Sequence, residues 1–142
     1  MCGIAVICGI SGKPADEATL QRMTQSIAHR GPDDSGHYLD RAVGLGFRRL
    51  SILDLSQTGH QPMISDDGRF VLVFNGEIFN YVELRRELSS LGYQIRSTGD
   101  SEVLLNAYRQ WGSDCLAKLN GMWAFIVYDR VNRRLFGSRD RF

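Results

Sequence analysis

The sequence has no long hydrophobic run, almost no net charge, and few cysteines or prolines. No stretch approaches the roughly 20 apolar residues of a membrane-spanning helix, and the N-terminus lacks the pattern of a signal peptide. A net charge of +1 leaves no electrostatic footprint for nucleic acid or an anionic membrane. Three irregularly spaced cysteines cannot form a disulfide framework, so we expect a protein of the reducing cytoplasm.

Glycine, by contrast, is abundant, at 15 of 142 residues against about ten in an average chain of this length. With only 3 prolines, the chain has many sharp backbone positions but few stiff linkers. Its length is typical of one domain with its own core, and it carries no internal repeat or low-complexity segment. Composition therefore predicts a single α+β or α/β domain.

The order of apolar and polar residues favours an α+β fold, in which helices pack on an antiparallel sheet. Short apolar runs bounded by turn residues predict strands within residues 2–12, 37–40, 43–56, 70–75, 93–97, 122–129 and 134–140. Helical spacing and glycine stops predict helices over residues 15–29, 81–91 and 101–111. A polar loop, residues 56–69, separates two of these strands.

The second residue, Cys2, is the most informative single position. Removal of Met1, which is usual before a small residue, would leave a thiol and a free α-amino group on one residue. Thiols and α-amino groups ordinarily titrate with pKa values of about 8.5 and about 8, so the amine can serve as a base for the sulfur. The alternative interpretation is a small buried hydrophobic residue at the start of a strand.

Five blocks of sequence in a fixed order narrow this choice. They read CGIAVICGISG, HRGPDDSG, RRLSILDLS with GHQPM, FNGEIFNY and TGDSEVLL. Together they resemble the glutaminase domain of glutamine-dependent asparagine synthetases. These are class II glutamine amidotransferases, within the N-terminal-nucleophile hydrolases. The resemblance implies a four-layer αββα sandwich with antiparallel sheets and hydrolysis of L-glutamine to L-glutamate and ammonia.

The resemblance also implies roles for individual residues. Cys2 matches the nucleophile, which forms a glutamyl thioester. The Asn75 side-chain amide and the Gly76 backbone N–H match the oxyanion hole, although the Asn-Gly dipeptide taken alone favours a hairpin turn. Arg49 matches the residue that binds the substrate carboxylate.

Two acidic residues, Glu77 and Asp100, match the carboxylates that hold the substrate ammonium. Taken alone, each would be a surface carboxylate or, for Asp100, a helix N-cap. We expect Arg30, Gly31 and Asp34 to shape the site from a loop.

Other residues fit less specific roles. Gln61 and Pro62 fall in a loop that resembles the family's mobile cover. Four residues are expected in the core: Cys8, Cys115, Trp111 and Trp123. The histidines lack ligand spacing, so we expect no metal site and no cofactor in this domain.

The chain also departs from the family pattern. The family's domain continues beyond residue 142, and its synthetase domain, which carries a pyrophosphate loop for ATP with Mg²⁺, has no counterpart here. We therefore expect residues 1–142 to be a glutaminase domain without its C-terminal strands, from a longer chain. Its expected partners are L-glutamine and the C-terminal synthetase domain, with no nucleic acid or membrane and with room for a homo-oligomer. The alternative is a non-catalytic regulatory or interaction module of the same fold.

Overall fold

Two antiparallel β-sheets face each other in the computed structural model, which describes residues 2–9, 12–51 and 59–141. Within these residues, the first sheet has the order β1-β3-β2 and consists of β1 (Gly3–Cys8), β2 (Asp34–Asp40) and β3 (Val43–Arg49). The second has the order β4-β5-β6-β7 and consists of β4 (Met63–Ile64), β5 (Phe70–Ile78), β6 (Gly121–Asp129) and β7 (Arg134–Arg139).

Helices cover the outer faces of both sheets. They are α1 (Glu17–Ser26), α2 (Tyr81–Ser90) and α3 (Ser101–Trp111), with short 3-10 segments at Ala28–Arg30 and Gly112–Lys118. α1 packs on the first sheet, and α2 and α3 pack on the second. This confirms the predicted α+β sandwich, since the layers follow the order helix, sheet, sheet, helix.

Local chemistry sets the limits of the helices. Asp16 caps α1, because its side chain accepts a hydrogen bond of 2.7 Å from the Thr19 N–H. Gly92, with φ of 94°, follows the end of α2, and Gly112, with φ of 57°, ends α3. Both lie in the left-handed region that glycine adopts without strain, so the predicted helix stops are confirmed.

Strand β5 lies in the middle of the sandwich, and its first five residues are enclosed. All of residues 70–74 are buried, because one face of the strand packs on α2 and α3 and the other packs on the first sheet. Val71 and Val73 meet Val43, Leu45 and Phe47 of β3 in the layer between the sheets. We call this layer the inter-sheet core.

Three predictions were wrong. The polar loop predicted over residues 56–69 contains the short strand β4 (Met63–Ile64), because these two residues pair with β5. Residues 93–97 form no strand, because the N–H groups of Arg96 and Ser97 bond to a side chain instead of a neighbouring strand. Cys8 is exposed, because it ends β1 at the margin of the sheet. Cys115 is buried as predicted, and this burial raises the pKa of its thiol to about 11. Residues 52–56 of the predicted third strand lie outside the described residues.

Candidate active site

Three strands end close together at one margin of the inter-sheet core. Side chains alternate across a strand, so every second residue of β1, β3 and β5 faces this layer. Val71 and Val73 define that row in β5, and Leu45 and Phe47 define it in β3. Four of the predicted site residues continue these rows toward the same margin. Arg49 follows Phe47 in β3, Asn75 and Glu77 follow Val73 in β5, and Cys2 lies directly before β1.

The half-buried Cys2 is held on its sulfur and on its backbone. The Leu50 N–H donates to Sγ at 3.4 Å, and Sγ lies 3.6 Å from the Leu50 carbonyl oxygen. Arg30 donates from Nε to the Cys2 carbonyl oxygen at 3.1 Å. These contacts place a backbone donor against the atom that carries negative charge when a thiolate forms. Arg30 therefore contacts the backbone of Cys2, and its role in shaping a site stays a prediction.

The loop around Gly31 packs directly on the end of β3, where Arg49 is buried. A Cβ on Gly31 would lie 2.6 Å from backbone atoms of Arg48 and Arg49, so only glycine allows this approach. The Asp33 N–H donates to the Arg49 carbonyl oxygen at 3.0 Å. Arg48 lies on the opposite face of β3 and bonds to Gln25 of α1, as alternation predicts.

Asp34, the first residue of β2, contacts His60. Its Oδ2 lies 2.6 Å from Nδ1 of His60, so it ties β2 to the segment that leads into Gln61. The Gln61 side chain is buried, and its Oε1 accepts a hydrogen bond of 2.6 Å from the Phe74 N–H. The bond between Gln61 and Pro62 is cis. Gln61 is therefore a fixed part of the wall next to β5.

Asn75 and Gly76 do not form a hairpin turn. They continue β5, where Asn75 pairs with Ala124 and Gly76 with Trp123 of β6. A Cβ on Gly76 would lie 2.7 Å from Trp123 Cα and closer still to the Met122 carbonyl oxygen. Strand pairing therefore explains why residue 76 is glycine.

The Asn75 side chain has an unmet hydrogen-bonding group. Its Oδ1 is buried and has no hydrogen-bond partner among the residues that the structure describes. A buried acceptor of this kind is costly to leave unpaired. Asn75 also belongs to the lining of a cavity.

The two predicted carboxylates differ in their exposure. Glu77 is exposed at the end of β5, whereas Asp100 is only 6% exposed. Asp100 stands at the N-cap position of α3 but makes no side-chain cap, because its Oδ2 accepts a hydrogen bond of 2.9 Å from the Ile78 N–H.

Burial raises the pKa of Asp100, and the negative charge of Glu77 raises it further, while the Ile78 N–H opposes the shift. A cation bound between the carboxylates of Glu77 and Asp100 would offset both the burial of Asp100 and the repulsion between the two negative charges.

All six predicted residues line one cavity of about 470 Å³: Cys2, Arg49, Asn75, Gly76, Glu77 and Asp100. Phe47, Met63 and Phe74 supply apolar walls. This size is typical of small-molecule sites, which combine apolar walls with a few polar groups. The arrangement offers a thiol, an arginine and two carboxylates to a single small ligand.

Several other lining residues were not predicted as part of a site. Trp123 packs against the core, as predicted, but also lines the cavity. The backbone N–H of Trp123 donates a hydrogen bond of 2.8 Å to Oδ2 of Asp140. Ser97 and Ser101 line another wall of the cavity. No local motif marks these residues, because strand pairing and helix packing bring them to the cavity.

The described residues contain no group of three or more histidine, cysteine, aspartate or glutamate side chains that could hold a metal ion. None of the helices in the described ranges is long and apolar enough to cross a membrane.

The sandwich is that of the N-terminal-nucleophile amidotransferases. It is similar to the solved structure of glutamine phosphoribosylpyrophosphate amidotransferase from B. subtilis complexed with ADP and GMP. The TM-score is 0.73 and the identity 18%, over 90% of this chain and 35% of that one. A structure described as the allosteric regulatory enzyme of purine biosynthesis matches with a TM-score of 0.57 and 20% identity, over 72% of this chain and 24% of that one. These two likenesses define the fold.

The chain belongs to the glutamine amidotransferase domain family, whose family model matches residues 1–142. It is 41% identical to the glutamine-hydrolyzing asparagine synthetase 1 of Bacillus subtilis (strain 168), over 100% of this chain and 23% of that protein. It is 38% identical to asparagine synthetase 3 of the same organism, over 95% of this chain and 23% of that protein. The family predicted from the sequence blocks is confirmed, and the chain spans about a quarter of the length of these curated relatives.

Proposed function

We propose that this domain hydrolyses L-glutamine to L-glutamate and ammonia, with Cys2 as the nucleophile. The observation that carries the proposal is the shared cavity of about 470 Å³, which presents the Cys2 thiol beside groups suited to each part of an amino-acid amide. Family membership and similarity to glutamine-hydrolyzing enzymes support the same substrate.

The substrate's zwitterionic end selects its binding residues. Arg49 offers a planar guanidinium, which pairs with a carboxylate through two hydrogen bonds. Glu77 and Asp100 bind the α-ammonium group, whose charge offsets the burial and the repulsion by Glu77 that together raise the pKa of Asp100. One arginine and two carboxylates thus fix the orientation of glutamine and direct its carboxamide toward Cys2.

The reaction begins when the Cys2 sulfur attacks the carboxamide carbon. Removal of Met1 converts the Cys2 nitrogen into an amine, which accepts the thiol proton. A carbon–sulfur bond forms, and the carbonyl oxygen becomes an oxyanion that receives hydrogen bonds from the Asn75 amide and the Gly76 N–H. The carbon–nitrogen bond then breaks, and the amine returns its proton to the leaving ammonia.

Water completes the cycle by attacking the thioester. The amine accepts a proton from this water, the carbon–sulfur bond breaks, and L-glutamate leaves with the thiol restored. Neither half-reaction needs a metal ion or a cofactor from this domain.

We further propose that residues 1–142 serve as the glutaminase domain of a longer chain. In that chain we propose that the ammonia passes to a C-terminal synthetase domain, where ATP and Mg²⁺ activate a carboxylate. The similarity to glutamine-hydrolyzing asparagine synthetases supports the presence of such a domain. The carboxylate of aspartate is the substrate that this similarity favours.

The test measures glutamine-dependent release of glutamate and ammonia from protein whose N-terminal mass shows that Met1 is absent. Cys2→Ala is expected to abolish both products, whereas Cys8→Ala, a matched change of an exposed cysteine in β1, should retain them. A diazo-ketone analogue of glutamine should add once, at Cys2. Folded protein that releases no ammonia and takes up no label would overturn the proposal and favour a non-catalytic module.

A further inference from the structure

A short segment immediately before Asp100 is fixed by hydrogen bonds from a helix that does not adjoin it. In this segment, residues 96–99, Arg85 of α2 donates from Nη1 to the Ser97 carbonyl oxygen at 2.7 Å. Its Nη2 donates to the Gly99 carbonyl oxygen at 3.0 Å. The planar guanidinium therefore bridges two carbonyl groups, and a single ammonium group cannot reproduce this geometry.

The amide groups of the same segment are bonded from the other side. Oε2 of Glu102 in α3 accepts hydrogen bonds from the Arg96 N–H at 2.9 Å and from the Ser97 N–H at 2.6 Å. Hydrogen bonds to ionised side chains are about twice as strong as those between neutral groups. Four backbone groups of residues 96–99 thus have charged partners, which leaves the segment little conformational freedom.

This segment forms part of the cavity wall. Ser97 and Gly99 line the cavity together with Asp100, which follows them directly in the chain. The carboxylate of Asp100 is also held by the Ile78 N–H of β5. Its position therefore depends on β5 on one side and on residues 96–99 on the other.

We propose that Arg85 is a positioning residue for substrate recognition: its bridge to the carbonyl groups of Ser97 and Gly99 holds Asp100 where it binds the α-ammonium group of the substrate. The inference rests on the proposed glutamine hydrolysis. Arg85 is not one of the described residues that line the cavity. It therefore acts through Asp100 and not by touching the substrate.

This role affects binding more than chemistry. Loss of the bridge lets residues 96–99 relax and moves the Asp100 carboxylate, whereas Cys2 lies directly before β1 and the Asn75–Gly76 pair lies in β5. KM for L-glutamine should therefore rise while kcat changes little. A substrate without an α-ammonium group should be indifferent to the change.

The experiment compares L-glutamine with 4-carbamoylbutanoate, the same amide without its α-ammonium group, on the protein of residues 2–142, from which Met1 has been removed. The measured quantity is kcat/KM for L-glutamine divided by kcat/KM for 4-carbamoylbutanoate. Arg85→Met should lower this ratio about tenfold, mainly because KM for L-glutamine rises. Arg85→Lys, which keeps the charge and stem, should lower it in the same direction and provides the test if Arg85→Met does not fold. Arg86→Met, a change of an exposed neighbour on α2, is the matched control and should leave the ratio unchanged.

A double variant sharpens the assignment. In an Asp100→Asn background, Arg85→Met should lower the substrate ratio no further, because the group that it positions is already lost. Equal losses on both substrates, or a further drop in the double variant, would overturn the inference. Wild-type protein that does not hydrolyse L-glutamine would instead refute the proposed function.

Discussion

Asp129, at the end of β6, offers a test of stability that is separate from the proposed chemistry. Arg69 donates to both of its carboxylate oxygens, with the shortest bond, 2.7 Å, from Nη2 to Oδ2. The N–H groups of Val131 and Asn132 donate to Oδ1 at 3.0 Å. Asp129→Asn keeps the size of the side chain but removes the charge, so we expect it to destabilise the fold.

The magnitude follows from the pKa. Hydrogen bonds from Arg69, and then from Asn132, lower the pKa of Asp129 from 3.8 to about 2, although partial burial opposes them. That difference corresponds to about 2 kcal/mol of stability at pH 7. Because the folded-state pKa is the lower one, the stabilisation is complete above about pH 4 and is lost as the pH falls through about 2. At pH 3 about 1 kcal/mol should remain.

The assay is urea denaturation followed by tryptophan fluorescence at pH 7 and at pH 3. The free energy of unfolding of the variant is subtracted from that of the wild type at each pH. This difference removes the contributions of the other titrating groups, because both proteins share them. Asp114→Asn, a change of an exposed carboxylate, is the control and should have little effect at either pH. A difference between wild type and Asp129→Asn that is absent at pH 7, or equal at both pH values, would refute the reasoning. Glutamine kinetics of Asp129→Asn at pH 7 should match the wild type, because Asp129 pairs with Phe70 at the start of β5, away from the cavity.

Three further substitutions test the cavity wall. Gly76→Ala should lower stability by about 1–3 kcal/mol in urea denaturation, because its Cβ would overlap the backbone at Met122; an unchanged midpoint would contradict the close strand approach. Gln61→Leu should cost about 1–3 kcal/mol in the same assay, because it leaves the buried Phe74 N–H unpaired, and a stable Gln61→Leu variant would show that this bond is replaceable. Arg49→Lys should raise KM for L-glutamine about tenfold or more in a steady-state assay, since lysine lacks the planar fork; an unchanged KM would remove Arg49 from carboxylate binding.

Much of the architecture was predictable because its signals are local. Short apolar runs bounded by turn residues predicted most of the strands, and Gly92 and Gly112 predicted the ends of α2 and α3. The prediction of a strand at 93–97 was wrong for a reason that the periodicity of apolar residues does not reveal. Its N–H groups bond to the Glu102 side chain, which sequence alone does not show to be adjacent.

The candidate site divides in the same way. Cys2 and Arg49 were predicted from the resemblance, and alternation explains why they share a face. Asn75–Gly76 has the composition of a turn, yet it lies within a strand because β6 pairs across it. Trp123 was assigned to the core alone, since its place in the cavity wall depends on that same pairing.

The inter-sheet core has a consequence for engineering this domain. The proposed nucleophile Cys2 and the proposed carboxylate-binding Arg49 lie at the margin of the first sheet, whereas the residues proposed to bind the oxyanion and the ammonium group lie in β5 and directly before α3. Leu45, Val71 and Val73 set the spacing between these two halves, although none of them touches the cavity. Changes of volume at these three positions should therefore tune turnover from a distance, which makes this apolar layer the natural target for a library that leaves every reacting group intact.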